Sequence, residues 1–206
     1  MPPRLVEEER SGDADVQRLD ASELRDRDLE VARAPHERPQ PFPLRAEREA
    51  DAAGEAPLLA CLDQVSDPRN FGAVLRSAEG AGASGVVVTA HGAAHVTPAV
   101  CRASAGAVEH VPVAVVTNLA RYLNEIKRGD LWIAGAVGKT GTPMWKADLT
   151  GGVAFALGAE GKGLRPLVRR ACDIEVSIPQ LGQVESLNVS VAAALLLYEA
   201  RRQRDV

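Results

Sequence analysis

From Leu58 onward the chain alternates short apolar runs with segments whose apolar residues recur at helical spacing. The runs Leu58–Leu62, Gly85–Thr89, Val111–Val116, Leu131–Ala136, Val153–Leu157 and Ile174–Ile178 are each five or six residues long. Runs this short, rich in Val, Ile and Leu, read as buried strands. Between them, Asn70–Gly80 reads as a helix, with Ala73, Val74, Ser77 and Ala78 at helical spacing. Thr97–Pro98 sets a cap before a first-turn proline and opens a helix to about Ala105. Asn118 caps a helix carrying Leu119, Tyr122, Leu123 and Ile126, which Gly129 ends. A last helix runs from Leu187 to about Gln203, roughly 25 Å at 1.5 Å per residue. The alternation predicts an α/β fold, a mostly parallel sheet with helices on both faces.

Residues 1–57 break this pattern. They hold nine Lys/Arg against fifteen Asp/Glu, a net −6, while the remainder is +2 and the whole chain −4. Apolar residues are sparse, and Pro35, Pro39, Pro41 and Pro43 cluster. Such a segment buries too little surface to offset its ordering entropy, so it reads as weakly ordered. One short helix is expected around Ala21–Ala32, with Ser22 as its cap. The 206 residues thus divide into this charged segment and one domain, 58–206. The overall acidity excludes a strongly electropositive, nonspecific nucleic-acid binder, but the mildly basic remainder leaves room for an RNA substrate.

Two strand ends carry the candidate chemistry. Val153–Leu157 runs into Gly158-Ala-Glu160-Gly161-Lys162-Gly163, and Ile174–Ile178 runs through Pro179 into a loop with Ser186, Leu187 and Asn188. Glycine-bearing loops after parallel strands form ligand sites, because a backbone without side chains can approach a bound molecule. By itself Glu160 reads equally well as a turn carboxylate facing water. Ser186 and Asn188 double as a helix cap, and Lys162 and Arg165 read as phosphate contacts or a solvated face. Asn70 and Arg76, alone, would be a cap and a solvated arginine.

Taken together, Asn70-x-Gly72-x-x-x-Arg76, Leu157-Gly158-Ala-Glu160-Gly161 and Ile178-Pro179 … Ser186-Leu187-Asn188-Val189-Ser190 resemble the three ordered motifs of the SpoU (TrmH) family of RNA ribose methyltransferases. The resemblance covers about residues 58–203. It implies a C-terminal trefoil knot of the SPOUT type whose loops hold S-adenosylmethionine (AdoMet). The cofactor would meet Gly158, Ile178 and Leu187, with Ala136, Gly161 and Pro179 beside them. Asn70, Arg76, Glu160, Ser186 and Asn188 would be catalytic. Arg76 would lie at the ribose 2′-hydroxyl, supported by Asn70, with Glu160 holding its guanidinium. A permanently protonated arginine is better suited to stabilise a developing alkoxide than to act alone as a base.

The resemblance further implies a homodimer packed through the apolar final helix, and RNA as the partner. Its wording around Leu62–Asn70 and Val116–Arg121 is most like the ribosomal-RNA guanosine enzymes. Transfer-RNA enzymes and a catalytically inert RNA-binding relative are the alternatives. Residues 1–57 could then be a degenerate substrate-binding module instead of a plain tail.

Other chemistries find little support. His36, His91, His95 and His110 fall in no metal-ligand spacing, so no metal is expected. Cys61, Cys101 and Cys172 are widely spaced and odd in number, which reads as reduced thiols. A nicotinamide oxidoreductase would need Gly-x-Gly-x-x-Gly after the first strand, which is missing. With neither an apolar run of about 18 residues nor a signal-peptide core, a cytoplasmic protein is expected.

Overall fold

The structure is a computed structural model that describes residues 54, 56–127, 131–183 and 186–204. The expected helix at Ala21–Ala32 with its Ser22 cap, the weak order of the N-terminal segment and the Gly129 stop lie outside the described residues. The elements are β1 (Leu58–Asp63), α1 (Pro68–Gly80), β2 (Gly85–Thr89), α2 (Pro98–Ala103), β3 (Val113–Val116) and α3 (Leu119–Ile126). There follow β4 (Leu131–Val137), β5 (Thr142–Pro143), β6 (Gly152–Gly158), α4 (Pro166–Ala171), β7 (Ile174–Ser177) and α5 (Val189–Arg204). The strands form one sheet in the order β3-β2-β1-β6-β4-β7-β5. Every pairing is parallel, as the alternation predicts.

Both faces of the sheet are covered, which explains the unbroken apolar character of its strands. Along β1, Leu58, Ala60 and Leu62 face a core closed by Phe71, Val74 and Leu75 of α1 and Ala193, Leu196 and Leu197 of α5. Leu59 and Cys61 face the opposite core, with Leu119, Leu123 and Ile126 of α3 and Val168 of α4. In β6, Phe155 and Leu157 join the first core, and Ala154 and Ala156 the second. Among the described residues no helix is long and apolar enough to cross a membrane. Burial raises the Cys61 thiol pKa strongly and takes that of Cys172 to about 11, so both are protonated, weakly reactive groups.

The expected boundaries move for local reasons. Helix α1 begins at Pro68 instead of Asn70, because Asp67 caps it by accepting from the Arg69 amide at 2.8 Å. Proline fits the first helical position, where no amide partner is needed. Strand β3 starts at Val113, just past Pro112. Helix α4 is unforeseen, since six residues containing two arginines and only Val168 and Ala171 buried show no period. Strand β5, two residues long, lies below what any period can reveal.

Gly72 is set by packing. A Cβ there would collide with the Ala103 Cβ and backbone of α2. The Gly72→Val variant should lose about 1–3 kcal/mol, the usual cost of overpacking, measured by urea unfolding.

Candidate active site at the carboxyl edge of the sheet

Ligand crevices in open parallel sheets lie outside the carboxyl ends of the strands. A cleft of about 340 Å³ opens at that edge, over the ends of β4, β6 and β7. Its wall includes Ala136 near the end of β4, Gly158 closing β6 and Gly161 beyond it, Ile178 after β7, and Ser186 and Leu187 before α5. Pro179 follows Ile178 but is not part of this wall.

The wall is mostly backbone, for a steric reason. A Cβ on Gly158 would fall onto the backbone of Gly163 and Leu164, so no other residue fits. The loop then turns through Gly161 and Gly163, at φ of 74° and 65°, values that favour glycine. Its closing bond runs from the Gly163 amide to the Ala159 carbonyl at 2.9 Å. On the facing side, Ser177 donates to the Gly141 carbonyl at 2.8 Å and ties the loop after β4 to β7. Leu157, Val176 and Val189 supply apolar floor. Backbone groups above an apolar floor suit a flat heterocycle with a polar edge, the chemistry of an adenine nucleoside.

On the rim, three segments far apart in sequence converge. Asn70 Nδ2 donates to Glu160 Oε1 at 3.1 Å. Asn188 Nδ2 donates to the same oxygen at 2.5 Å and to Asn70 Oδ1 at 3.0 Å. The other end of Asn188 caps α5, where its Oδ1 accepts from the Ser190 amide at 2.9 Å and from the Ser190 hydroxyl. The cap and the site role are therefore two ends of one side chain. Glu160 is exposed, and the two neutral amides fix its position without cancelling its charge.

Arg76 does not join this cluster. It is exposed on α1, and among the described residues it has no hydrogen bond or ion pair with Glu160. Six residues at about 100° each turn it to a different side of the helix from Asn70. The expected Arg76–Glu160 fork is thus replaced by the two asparagine amides. Ser186 is exposed on the cleft wall. Arg165, expected at a phosphate or in solvent, instead meets Asp63: its amide donates to Oδ2 at 2.8 Å and its Nε to Oδ1 at 2.7 Å. Asp63, whose side chain is fully buried, was not singled out from the sequence. The available signal was a carboxylate closing an apolar strand.

Residues 57–198 match the SpoU rRNA Methylase family. The 23S rRNA (guanosine-2'-O-)-methyltransferase RlmB of Pseudomonas putida is 47% identical over 150 residues, 73% of this chain and 60% of that protein. The SpoU methyltransferase AviRb from Streptomyces viridochromogenes, solved in complex with the cofactor AdoMet, is similar with a TM-score of 0.68 and 33% identity. The match covers 73% of this chain and 58% of that one. A structure described as giving insights into the 2-OH methylation of C/U34 on tRNA has a TM-score of 0.65 and 28% identity. There the match covers 72% of this chain and 96% of the other. The chain spans about three-fifths of the length of the curated relatives it matches.

The double use of Asn188 can be separated by substitution. Asn188→Ala should lose about 1 kcal/mol with its cap, whereas Asn188→Ser should stay within a few tenths, because serine caps as well. Urea denaturation of the two variants checks this.

Proposed function

Because the chain belongs to the SpoU rRNA methylase family, we propose that it transfers a methyl group from AdoMet to a ribose 2′-hydroxyl of structured RNA, a guanosine of ribosomal RNA first. The observation that carries this reading is the convergence of Asn70, Glu160 and Asn188 on the rim of a glycine-walled cleft at the carboxyl edge. The similarity to RlmB-type enzymes supports the ribosomal substrate. A transfer-RNA substrate is the second reading, favoured by the nearly full coverage of the shorter relative described with tRNA. The trefoil threading of the segment after β6 belongs to the same proposal.

The cleft fits the cofactor, since Gly158, Ala159, Gly161 and Gly163 line it with main chain beside an apolar floor of Leu157, Val176 and Val189. Gly158, Gly161, Ile178, Leu187 and Ala136 would hold AdoMet, with Pro179 directing the chain past it. Bound there, the sulfonium supplies an electrophilic methyl group. The protein's own task is to bring the ribose oxygen into line with that methyl and to steady the charge that develops as the hydroxyl proton leaves. Asn70, Glu160 and Asn188 form a rigid edge for the incoming ribose, with Ser186 beside them. Arg76, exposed and outside the cluster, would act as the donor for the alkoxide and backbone phosphate once RNA is bound.

We further propose that two copies pair through α5. Its inner face is buried, yet Val191, Leu195 and Tyr198 stay 46%, 39% and 51% exposed on one outer stripe. Apolar residues at this spacing form a continuous face that a second copy can cover.

Calorimetry should show micromolar AdoMet binding, and none at millimolar ligand would overturn the methyltransferase reading. Arg76→Ala should lower single-turnover methylation of ribosomal RNA at least about a hundredfold, typical of removing one charge-stabilising donor. Its AdoMet affinity should stay near wild type; a wild-type rate would remove Arg76 from the mechanism. Light scattering should give twice the 21.8 kDa chain mass.

A further inference from the structure

We propose that Asp63 and Arg165 are a positioning pair that closes the cofactor-side loop and thereby places Glu160. The inference rests on the methyltransferase reading above. The loop begins at Gly158, which stands opposite Asp63 in the β1–β6 register. It ends at Arg165, whose amide and guanidinium both bond the Asp63 carboxylate. One residue of β1 therefore anchors both ends of the loop, through its strand pairing at one end and its side chain at the other. Between the anchors lie Glu160 and the glycines of the cleft wall.

The pair is asymmetric in its surroundings. The Asp63 side chain is fully buried, while Arg165 is 44% exposed and also reaches Oδ1 through a terminal nitrogen at 2.7 Å. Both carboxylate oxygens are satisfied by this one residue. A buried carboxylate deprived of its partner is costly, so Arg165 is held in place more firmly than an exposed arginine would be. Its anchored backbone in turn fixes the last residue before Pro166 starts α4. Within the loop, the Gly163 and Lys162 amides both close onto the Ala159 carbonyl, at 2.9 and 3.3 Å. Glu160 is bonded from outside by Asn70 and Asn188. Those two amides need the carboxylate delivered to them, and the Asp63 anchor delivers it.

The test compares wild type, Asp63→Asn, Arg165→Gln and Arg165→Lys for AdoMet affinity, methylation kinetics and hydrogen exchange. Asp63→Asn keeps the shape but removes the charge, and Arg165→Lys keeps the charge and the backbone donor but not the forked geometry. We expect AdoMet Kd and KM to rise about tenfold or more in Asp63→Asn and Arg165→Gln, on the order expected for disrupting a buried charge pair. Faster exchange should be confined to peptides covering residues 158–165, and Arg165→Lys should recover part of the affinity. Should Asp63→Asn fail to fold, Arg165→Lys decides alone, with a Kd a few times that of wild type supporting the pair and an unchanged Kd overturning it. Variants with lowered melting temperature but wild-type Kd and loop exchange would mark a merely structural bridge and overturn the inference. If wild type itself binds no AdoMet, the methyltransferase reading fails first; if wild type binds and the variants match it, only the positioning role fails.

Discussion

The contact between Gly158 and the backbone of Gly163 and Leu164 is the constraint on which the site depends. It folds the chain back on itself immediately after β6, so that the loop becomes a wall of the cleft instead of a lid over it. No Cβ can be accommodated, and the turn that follows uses left-handed conformations at Gly161 and Gly163. The β6 strand that feeds this turn is central, with β1 on one side and β4 on the other, and is buried almost throughout. A rigid strand leading into a tight, glycine-only turn gives a loop whose backbone positions are determined by sterics, which is what recognition through N–H and C=O groups requires.

This arrangement divides labour by chemical type. The inner wall of the cleft is mostly glycine and apolar residues, while Asn70, Glu160 and Asn188 gather on the rim. The division also explains why the motifs look unremarkable singly. Gly72 serves the packing of α1 on α2, Gly158 serves the turn, and Asn188 caps α5 while its amide reaches Glu160. Each residue meets a structural demand of its own, and the site exists because those demands are met at one edge of one sheet.

Much of this was readable from sequence, and what was not follows from range. All six apolar runs became strands, because a parallel sheet covered on both faces requires continuous Val, Ile and Leu. The helix caps at Thr97 and Asn118 were equally readable, since capping is local chemistry. The Asn70, Glu160 and Asn188 motifs pointed to one place and do meet there. The Asp63–Arg165 pair spans 102 residues and carries no periodic signal, so Arg165 looked like a surface cation. The Arg76–Glu160 fork expected from the resemblance is absent within this chain, where the helix turn between Asn70 and Arg76 sets the two on different sides of α1.

The way Glu160 is held has a consequence for its charge. Both donors to Oε1 are neutral amides, which orient a carboxylate but leave its negative charge in place. A guanidinium in the same position would have fixed it as well and neutralised it. Glu160 is exposed, so solvent carries part of the cost of that charge in the free protein. Closing the proposed RNA substrate over the rim would remove this solvent and strengthen whatever interaction Glu160 then makes. A hydroxyl or a cation brought to the rim gains from the carboxylate, whereas a phosphate placed directly on it is repelled. For the proposed RNA substrate, the polarity of the rim therefore favours a ribose edge over Glu160, with the phosphates displaced away from the carboxylate.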